Sequence, residues 1–491
     1  MGEREREWAS HVGDMPEQEF RRALAEFSEW VCRYRERVAE LPVLARTAPG
    51  DLENHLPGKP PELGDAPQRW LEDLDRLLLP GITHWNHPGF MAYFGITGSG
   101  PGILGELVSA TLNVNGMLWR TSPALTELEF VVLRWYRVAM GLSAPWFGML
   151  TDTASTSTLV ALTAAREAAG LNIREAGMAG QPAMVLYCSQ EAHSSVEKAG
   201  LVLGMGRRGV VRIPTDEKLR MDPRALERAI VADASAGRRP FAVVATVGTT
   251  STAAVDPVGA IAAICARHSL WLHVDAAYAG SAAIAPEFRW ALAGCERADS
   301  LVANPHKWLF TPIDCSALFT SRPEVFRQAL SLVPEYLRTD GESVDLMDYT
   351  FQLGRRFRAL KLWFVFRYFG TRGIADRIRV HCNLAREFAS WVASTPDLEL
   401  AAEPAFSVVC FRARPQGISD ESLDRLNQHL LDAVNATGRV FLSHTRVSGR
   451  LALRLAVGNL GTREDQLRDV LRVVCRELEQ WQHRKGDSEA T

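Results

Sequence analysis

Between about residues 125 and 365 the chain alternates two textures, and this constrains its fold more than any other feature. Short apolar or β-branched runs at 183–188, 241–246, 270–275 and 300–303 predict strands. Ala/Leu/Arg/Glu-rich stretches such as 158–169 and 223–236 predict the helices between them. Strands separated by helices imply an α/β fold with a mostly parallel central sheet flanked by helices. In open sheets of this kind ligands bind outside the carboxyl ends of the strands. His193, Thr250, Asp275 and Lys307 all fall at or just after such ends.

The flanks differ. Residues 14–41 predict an amphipathic helix capped by Asp14, with Phe20, Leu24, Phe27, Val31, Tyr34 and Val38 on one face. A Pro/Gly-rich stretch, 47–67, follows it. This is either a surface connector or part of an arm draped over a second subunit, because an apolar stripe ahead of a long linker needs a surface to cover. Gly98–Gly102 and Gly370–Gly373 punctuate the chain. Beyond the second, strands at 407–412 and 451–457 and helices at 374–394, 419–435 and 462–481 predict a small α/β domain, with Ser419 and Thr462 as caps. The expected division is a helical arm and dimerisation segment (1–97), a large domain (98–370) and a small domain (371–491).

Composition excludes several function classes. A net charge of −3 supplies no field for nucleic acid or an anionic membrane. Eight scattered Cys form no Cys-x-x-Cys pair, so neither a metal site nor a disulfide framework is expected. The amino terminus is charged and lacks a secretory apolar core, and no apolar run approaches the roughly 20 residues of a membrane span. The expected location is cytoplasmic.

Asp275 and Lys307 carry the chemistry. Asp275 closes the run 270–275, and Lys307 follows the apolar run 301–303. A carboxylate and an amine emerging at neighbouring strand ends suit pyridoxal phosphate (PLP). The amine can form a Schiff base with the aldehyde, and the carboxylate can keep the pyridine nitrogen protonated. Taken alone, Asp275 is better explained by a salt bridge to an arginine; for Lys307 the alternative is an ordinary surface lysine, against which the apolar residues 301–303 before it and 308–310 after it argue. The run Thr151–Thr158 offers hydroxyls and helix-terminal N–H groups for a phosphate, although such runs also merely cap helices and Asp152 would oppose a dianion. Gly248-Thr249-Thr250 is a second candidate for cofactor contact. His193 reads either as a cap or as an imidazole stacked on the cofactor ring. His306 is placed to touch the phosphate or to relay a proton.

Together the stretches 84–88, 121–129, 193–197, 271–282, 304–308 and 354–358 resemble the group II PLP-dependent decarboxylases, the aromatic-L-amino-acid decarboxylase family. The resemblance spans about residues 20–480. It implies a fold-type I homodimer with active sites built from both subunits and pyridoxal 5'-phosphate as cofactor. It implies Lys307 as the Schiff-base lysine, Asp275 on the pyridine nitrogen and His193 on the ring, with Ala154, Ser155, Thr250 and Asn304 around the cofactor. It also implies a mobile-loop tyrosine, here Tyr336, that protonates the substrate carbon after CO₂ leaves; related aldehyde synthases carry Phe there, which cannot donate a proton. Arg454 matches a basic residue of the family's small domain, either organising that loop or forming a structural salt bridge.

The implied reaction is decarboxylation of an L-amino acid with aromatic preference, giving the amine and CO₂. Trp85, Tyr93 and Phe94 keep the substrate pocket aromatic. Ile96 replaces a hydroxyl residue of the animal enzymes, and Asn115 and Met117 occupy the segment implied to face the partner's site. Two alternatives stay open: a decarboxylase for an acidic or other non-aromatic amino acid, with Arg120 as the cation, and a catalytically silent PLP-binding paralogue, at which Asp152 and the lack of an acidic residue at Thr156 hint.

Overall fold

A computed structural model describes residues 13–142, 145–332 and 343–489. The amino-terminal helix α1 (Glu17–Arg37) leads through an irregular segment to α2 (Gly100–Leu112) and α3 (Pro123–Ala139). The sheet then begins: β1 (Phe147–Thr151), α4 (Ala154–Ala168), β2 (Met184–Ser189), α5 (Ser194–Val202), β3 (Val210–Ile213), α6 (Pro223–Ser235), β4 (Arg239–Thr246), α7 (Val258–His268), β5 (Trp271–Asp275), β6 (Ser300–Ala303) and β7 (Ser316–Thr320). These strands form one seven-stranded sheet in the order β1-β7-β6-β5-β4-β2-β3. β7 runs antiparallel to both of its neighbours, and the β3-β2-β4-β5-β6 pairs are parallel.

The period-2 pleat divides the core. On β5, Leu272 and Val274 join the apolar cluster on one face, whereas Trp271 joins the cluster containing Val160, Ala161 and Leu162 of α4. His273 and Asp275 share that second face by alternation, so Asp275 leaves the sheet on the side covered by α4.

Four strands appear where the sequence predicts them. β1, β3 and β7 are additional: β1 contains Gly148, β3 has only four residues, and β7 opens on Ser316, so none presents a clear apolar run. α4 begins at Ala154, five residues before the expected Leu159. Thr153 caps it, its side chain accepting from the Thr156 N–H, so the hydroxyl run forms the first helical turn.

After α8 (Arg358–Ser394), broken at Gly370 with φ 60°, come β8 (Leu398–Leu400), β9 (Val408–Ala413), α9 (Asp420–Ala436), β10 (Ser443–Val447), β11 (Arg450–Ala456) and α10 (Glu464–Glu489). The four strands make an antiparallel sheet ordered β10-β11-β9-β8. Phe411, Leu430, Leu453 and Leu467 bury its helix-covered face. Ser419 caps α9 as expected, accepting from Ser422 N–H. Two expected caps are corrected. The Thr462 hydroxyl donates to the Pro88 carbonyl instead (2.6 Å), and α10 starts at Glu464. α1 follows Pro16 without a side-chain cap, the Asp14 carboxylate accepting only from Met15 N–H.

The segment leading to α2 is stitched to the small sheet. Met91 N–H donates to Phe441, and Ala456 N–H donates to Met91. The amino-terminal part of the chain is thereby carried to the sheet ends, although it precedes the small sheet by hundreds of residues.

Candidate active site

β4 and β5 pair in register so that Thr246 lies opposite Asp275, and Ala303 ends β6 beside them. Beyond Ala303 a helical turn, Pro305–Trp308, presents Lys307. Asp275 is 5% exposed, and one of its oxygens accepts from Ala277 N–H (3.1 Å). Among the described residues no Lys or Arg nitrogen lies within 4 Å of it, so the salt-bridge explanation drops out. A buried carboxylate without a cation is costly unless a ligand supplies one. The Thr246 hydroxyl beside it is also buried and unpartnered.

The Lys307 ammonium lies 5.2 Å from the centroid of the Phe94 ring. Burial pushes its pKa below the ordinary lysine value. Asp275 pulls the other way, and the Arg454 guanidinium adds to the depression. A larger neutral fraction of the amine is what nucleophilic attack on an aldehyde needs.

His193 caps α5, its Nδ1 accepting from Ser195 N–H (3.1 Å). That bond puts the proton of the neutral ring on Nε2. Burial lowers its pKa, partly offset by Asp275. The cap reading and the ring-stacking reading are therefore compatible: the backbone bond fixes the imidazole, and the residue stays exposed.

α4 brings Ala154 and Ser155 into its first turn, where N–H groups lack helical acceptors. Asp152 Oδ1 accepts from Thr153 N–H (2.6 Å), which ties one of its oxygens to the backbone. Thr250 is exposed in the turn after β4. Beneath the α4 terminus, Thr151 and Ser157 of the predicted hydroxyl run join a chain that reaches Asn304 through Ser316, which the sequence did not single out: Thr151 to Ser157 (2.7 Å), Ser157 to Ser316 (3.0 Å) and Ser316 to Asn304 Oδ1 (2.7 Å). Asn304 continues to His306 Nε2 (3.2 Å), and His306 Nδ1 accepts from Cys315 N–H (3.0 Å). Both ring nitrogens of His306 are thus engaged within the protein, and burial drops its pKa to about 3. This corrects the expectation that it touches the phosphate or relays a proton. Asn304 and His306 brace the Lys307 turn from below.

Phe94 stacks on Tyr278 (3.8 Å), and Tyr278 stacks on Trp308 (4.8 Å). Trp308 Nε1 donates to His381 Nδ1 (3.0 Å). Trp85 stacks against Tyr93 (5.9 Å) with both rings partly open to solvent, and Ile96 is half-buried nearby in sequence. Arg454, reaching in from β11, is 3% exposed. Its Nε donates to the Ser251 carbonyl (2.9 Å), Nη1 donates to the Tyr93 carbonyl, and the guanidinium lies 4.7 Å over the Phe94 ring. It meets no carboxylate among the described residues, which corrects the salt-bridge alternative; Nη2 is buried and unpartnered.

Asn115 and Met117 are turned to other partners. Asn115 Oδ1 accepts from Arg355 N–H (2.9 Å), and Met117 packs with Leu118 and Met347. Arg355 in turn forms a buried ion pair with Glu129 (2.6 Å), which accounts for two of the sequence motifs by packing. Arg120 is exposed. Tyr336 lies outside the described residues. Among those residues no group of His, Cys, Asp or Glu could hold a metal ion.

The comparisons with known proteins agree with this geometry. Residues 49–414 match the family described as pyridoxal-dependent decarboxylase conserved domain. The chain is 37% identical to phenylacetaldehyde synthase of Arabidopsis thaliana, over 93% of this chain and 95% of that one. It is 39% identical to tyrosine decarboxylase 2 of the same plant, over 89% and 82%. The crystal structure of Oryza sativa TDC with PLP and tryptamine superposes with a TM-score of 0.92 at 36% identity, covering 95% of this chain and 99% of that one. The residues present fit the cofactor: a half-buried amine of lowered pKa, a carboxylate without a cation, an orphan hydroxyl, a fixed neutral imidazole and an open helix terminus. The chain belongs to the pyridoxal-dependent decarboxylases and is a carboxy-lyase whose cofactor is pyridoxal phosphate.

Proposed function

We propose that this enzyme converts an aromatic L-amino acid to the corresponding amine and CO₂. The observation that carries the substrate class is the setting of Lys307: its amine faces the Phe94 ring, and Trp85 and Tyr93 of the same amino-terminal segment stack on each other, partly open to solvent. The names of the relatives, which include a tyrosine decarboxylase, support the same class.

When bound, PLP supplies an electron sink for the pair left behind by the departing carboxylate. The chain's own residues do the rest. Lys307 offers a neutral amine for covalent attachment of the aldehyde. Asp275 holds a proton on the pyridine nitrogen by opposite-charge attraction. His193 would lie against the cofactor ring, and the N–H groups of Ala154 and Ser155 with the Thr250 hydroxyl would hold its phosphate. Arg454, with one unpartnered N–H, is available to an anionic group at the front. Tyr336 returns a proton to the substrate carbon. Asn304 and His306 act as positioning residues beneath Lys307.

We also propose a cytoplasmic homodimer. Leu104, Leu107 and Leu112 on α2 and Phe20 and Leu24 on α1 are exposed in the single chain, a larger apolar display than isolated surface residues make. All eight cysteines are free thiols, which suits a reducing compartment. No helix among the described residues is long and apolar enough to cross a membrane. In the dimer, the segment with Asn115 and Met117 would face the partner's site.

A second outcome is an aldehyde product, favoured by the likeness to phenylacetaldehyde synthase; it requires O₂ and releases ammonia and hydrogen peroxide in addition to CO₂. The test is to supply the PLP-loaded enzyme with a panel of L-amino acids and quantify CO₂, amine, aldehyde and peroxide. Amine in equal amount to CO₂ from aromatic substrates is expected. Aldehyde with peroxide would replace the tyrosine-protonation step, CO₂ from acidic substrates alone would overturn the substrate class, and no CO₂ from any of them would leave a silent paralogue.

A further inference from the structure

Four rings run in one near-parallel stack from the front of the active site into the interior. Phe94 lies on Tyr278 (3.8 Å, 17°), Tyr278 on Trp308 (4.8 Å, 8°) and Trp308 beside His381 (6.5 Å, 3°). Phe94 carries the Lys307 ammonium (5.2 Å) and the Arg454 guanidinium (4.7 Å). Trp308 follows Lys307 in the same helical turn, and its Nε1 is tied to His381 (3.0 Å). Tyr278 lies between these two, 4% exposed and three residues after Asp275.

Tyr278 is boxed in. Its hydroxyl shares a hydrogen bond with Ser407 Oγ (2.6 Å). Phe406 packs edge-on against both Tyr278 (6.4 Å, 88°) and Trp308 (6.3 Å, 87°). A Cβ on Gly248 would come within 3.0 Å of Tyr278 Cδ1, so the turn that carries Thr250 approaches this ring as closely as a glycine allows. Both far anchors belong to the small domain. The Ser407 carbonyl accepts from Val457 N–H (2.9 Å), and His381 Nε2 donates to the Asn459 carbonyl (3.1 Å). The backbone beside the stack is strained as well. Tyr93 (φ 51°), Phe310 (φ 53°) and Phe406 (φ 53°) all adopt the left-handed conformation, which bulky side chains seldom take. Such conformations persist where the surroundings over-determine them, and they gather at functional sites.

We propose that Tyr278 is a positioning residue of the reaction: it sets the plane of the Phe94 ring, and through that ring the places of Arg454 and Lys307, from a hydroxyl anchored on the small domain. Two consequences follow from the geometry. A loosened Phe94 lets Arg454 drift from the anionic group it is available to. Substrate binding then weakens equally before and during bond breaking, which raises KM and leaves kcat in place. This consequence rests on the proposed conversion of an aromatic L-amino acid. The second does not. Arg454 holds the Lys307 pKa down and Asp275 holds it up, with His193 and His306 the other titratable groups beside that amine. Positive charge that drifts away from Lys307 lets its proton bind more tightly.

Tyr136 separates placement from packing. It too is fully buried, and its hydroxyl bonds to Ser281 (2.7 Å), but its ring neighbours are Phe319 and Phe366. The test compares PLP-loaded wild type, Tyr278→Phe, Ser407→Ala, Tyr278→Leu and Tyr136→Phe. Two quantities are read: kcat and KM for the best aromatic substrate, and the pH midpoint of the cofactor's absorbance change, which needs no turnover. Tyr278→Phe and Ser407→Ala keep the stack and cut its anchor. Each should raise KM about threefold, and the double variant should raise it no further, because both remove one bond. Tyr278→Leu should raise KM about tenfold with kcat changed less than about twofold, and should move the absorbance midpoint up by about 0.3 pH unit or more. Tyr136→Phe should leave both quantities at the wild-type value. If Tyr278→Leu does not fold, Tyr278→Phe and Ser407→Ala decide. Wild-type KM and midpoint in folded Tyr278 variants would overturn the proposal. So would a fall in kcat at unchanged KM, or equal changes in Tyr136→Phe, which would reduce the effect to packing. If wild type releases no CO₂ from aromatic amino acids, the substrate reading fails and the absorbance midpoint alone decides the role of Tyr278.

Discussion

The floor of the active site and its front wall are built in opposite ways. The floor comes from adjacent strand ends: Thr246, Asp275 and the Lys307 turn, braced by Asn304, His306 and the Ser157–Ser316 hydroxyl chain. Apart from the Thr246 hydroxyl, which is unpartnered, these hydroxyl and imidazole groups find partners within the large domain. The front wall is assembled across the chain. Arg454 of the small sheet reaches the Tyr93 carbonyl, 361 residues away in sequence, and covers the Phe94 ring. It keeps one buried N–H unpartnered. The floor is braced within one sheet, whereas the wall joins segments far apart in the chain.

That contrast can be broken most sharply at Asp275. Asp275→Asn keeps the shape and removes the charge that holds the pyridine proton. Turnover should fall roughly a hundredfold to a thousandfold with the cofactor still bound, as seen by its absorbance. Near-normal turnover would remove Asp275 from its role.

A smaller loss is expected at the wall. Arg454→Met keeps much of the packing on Phe94 but leaves the Ser251 and Tyr93 carbonyls without their donor. kcat/KM should fall about tenfold to a hundredfold, with a lowered melting temperature. A loss as large as that of Asp275→Asn would mean that the wall, too, acts directly on the bond-breaking step.

The smallest effect is on stability. Burial lowers the pKa of His273 and His381 to about 4 and that of His306 to about 3. Each lies below the unfolded value near 6.5, so the unfolded chain binds more protons in that window. Stability is retained above about pH 6.5 and is lost as the pH falls toward 4. Asp256 opposes this. Burial raises its pKa to about 6, so it adds stability as the pH falls through that value. Among the most strongly shifted of these groups, three histidines stand against one carboxyl, which predicts a net decline of about a few degrees in melting temperature per pH unit below 6.5. Calorimetry from pH 7 to 5 checks it; a flat profile would show that the buried imidazoles take up protons without unfolding.

The same contrast explains what could be read from the sequence. Asp275 and Lys307 were legible because apolar runs flag strand ends, and strand ends carry chemistry in parallel sheets. His193 was legible on the same grounds, although its capping bond was one of two readings. Ser316 was not, because a hydroxyl at the start of a short strand looks like any other, and the Thr151–Thr158 run did not show that Ser157 bonds to it. His306 was misassigned because sequence cannot tell that Cys315 N–H and Asn304 claim both its nitrogens. Arg454 was named only through the resemblance; its contacts with Tyr93, Phe94 and Ser251 depend on packing between segments far apart, which no local pattern records. The early start of α4 reflects the same gap: Thr153 caps that helix, yet the hydroxyl run gave no sign which of its members would do so.

The account rests on Lys307 as the covalent anchor of the cofactor, and one measurement addresses it directly. The PLP-loaded enzyme is reduced with borohydride, digested and mapped by mass spectrometry. A single pyridoxyl-modified peptide carrying the label on Lys307 is predicted, with no label in Lys307→Ala and a loss of turnover of at least about a thousandfold in that variant. A label on another lysine, or none in the wild-type enzyme, would contradict the account.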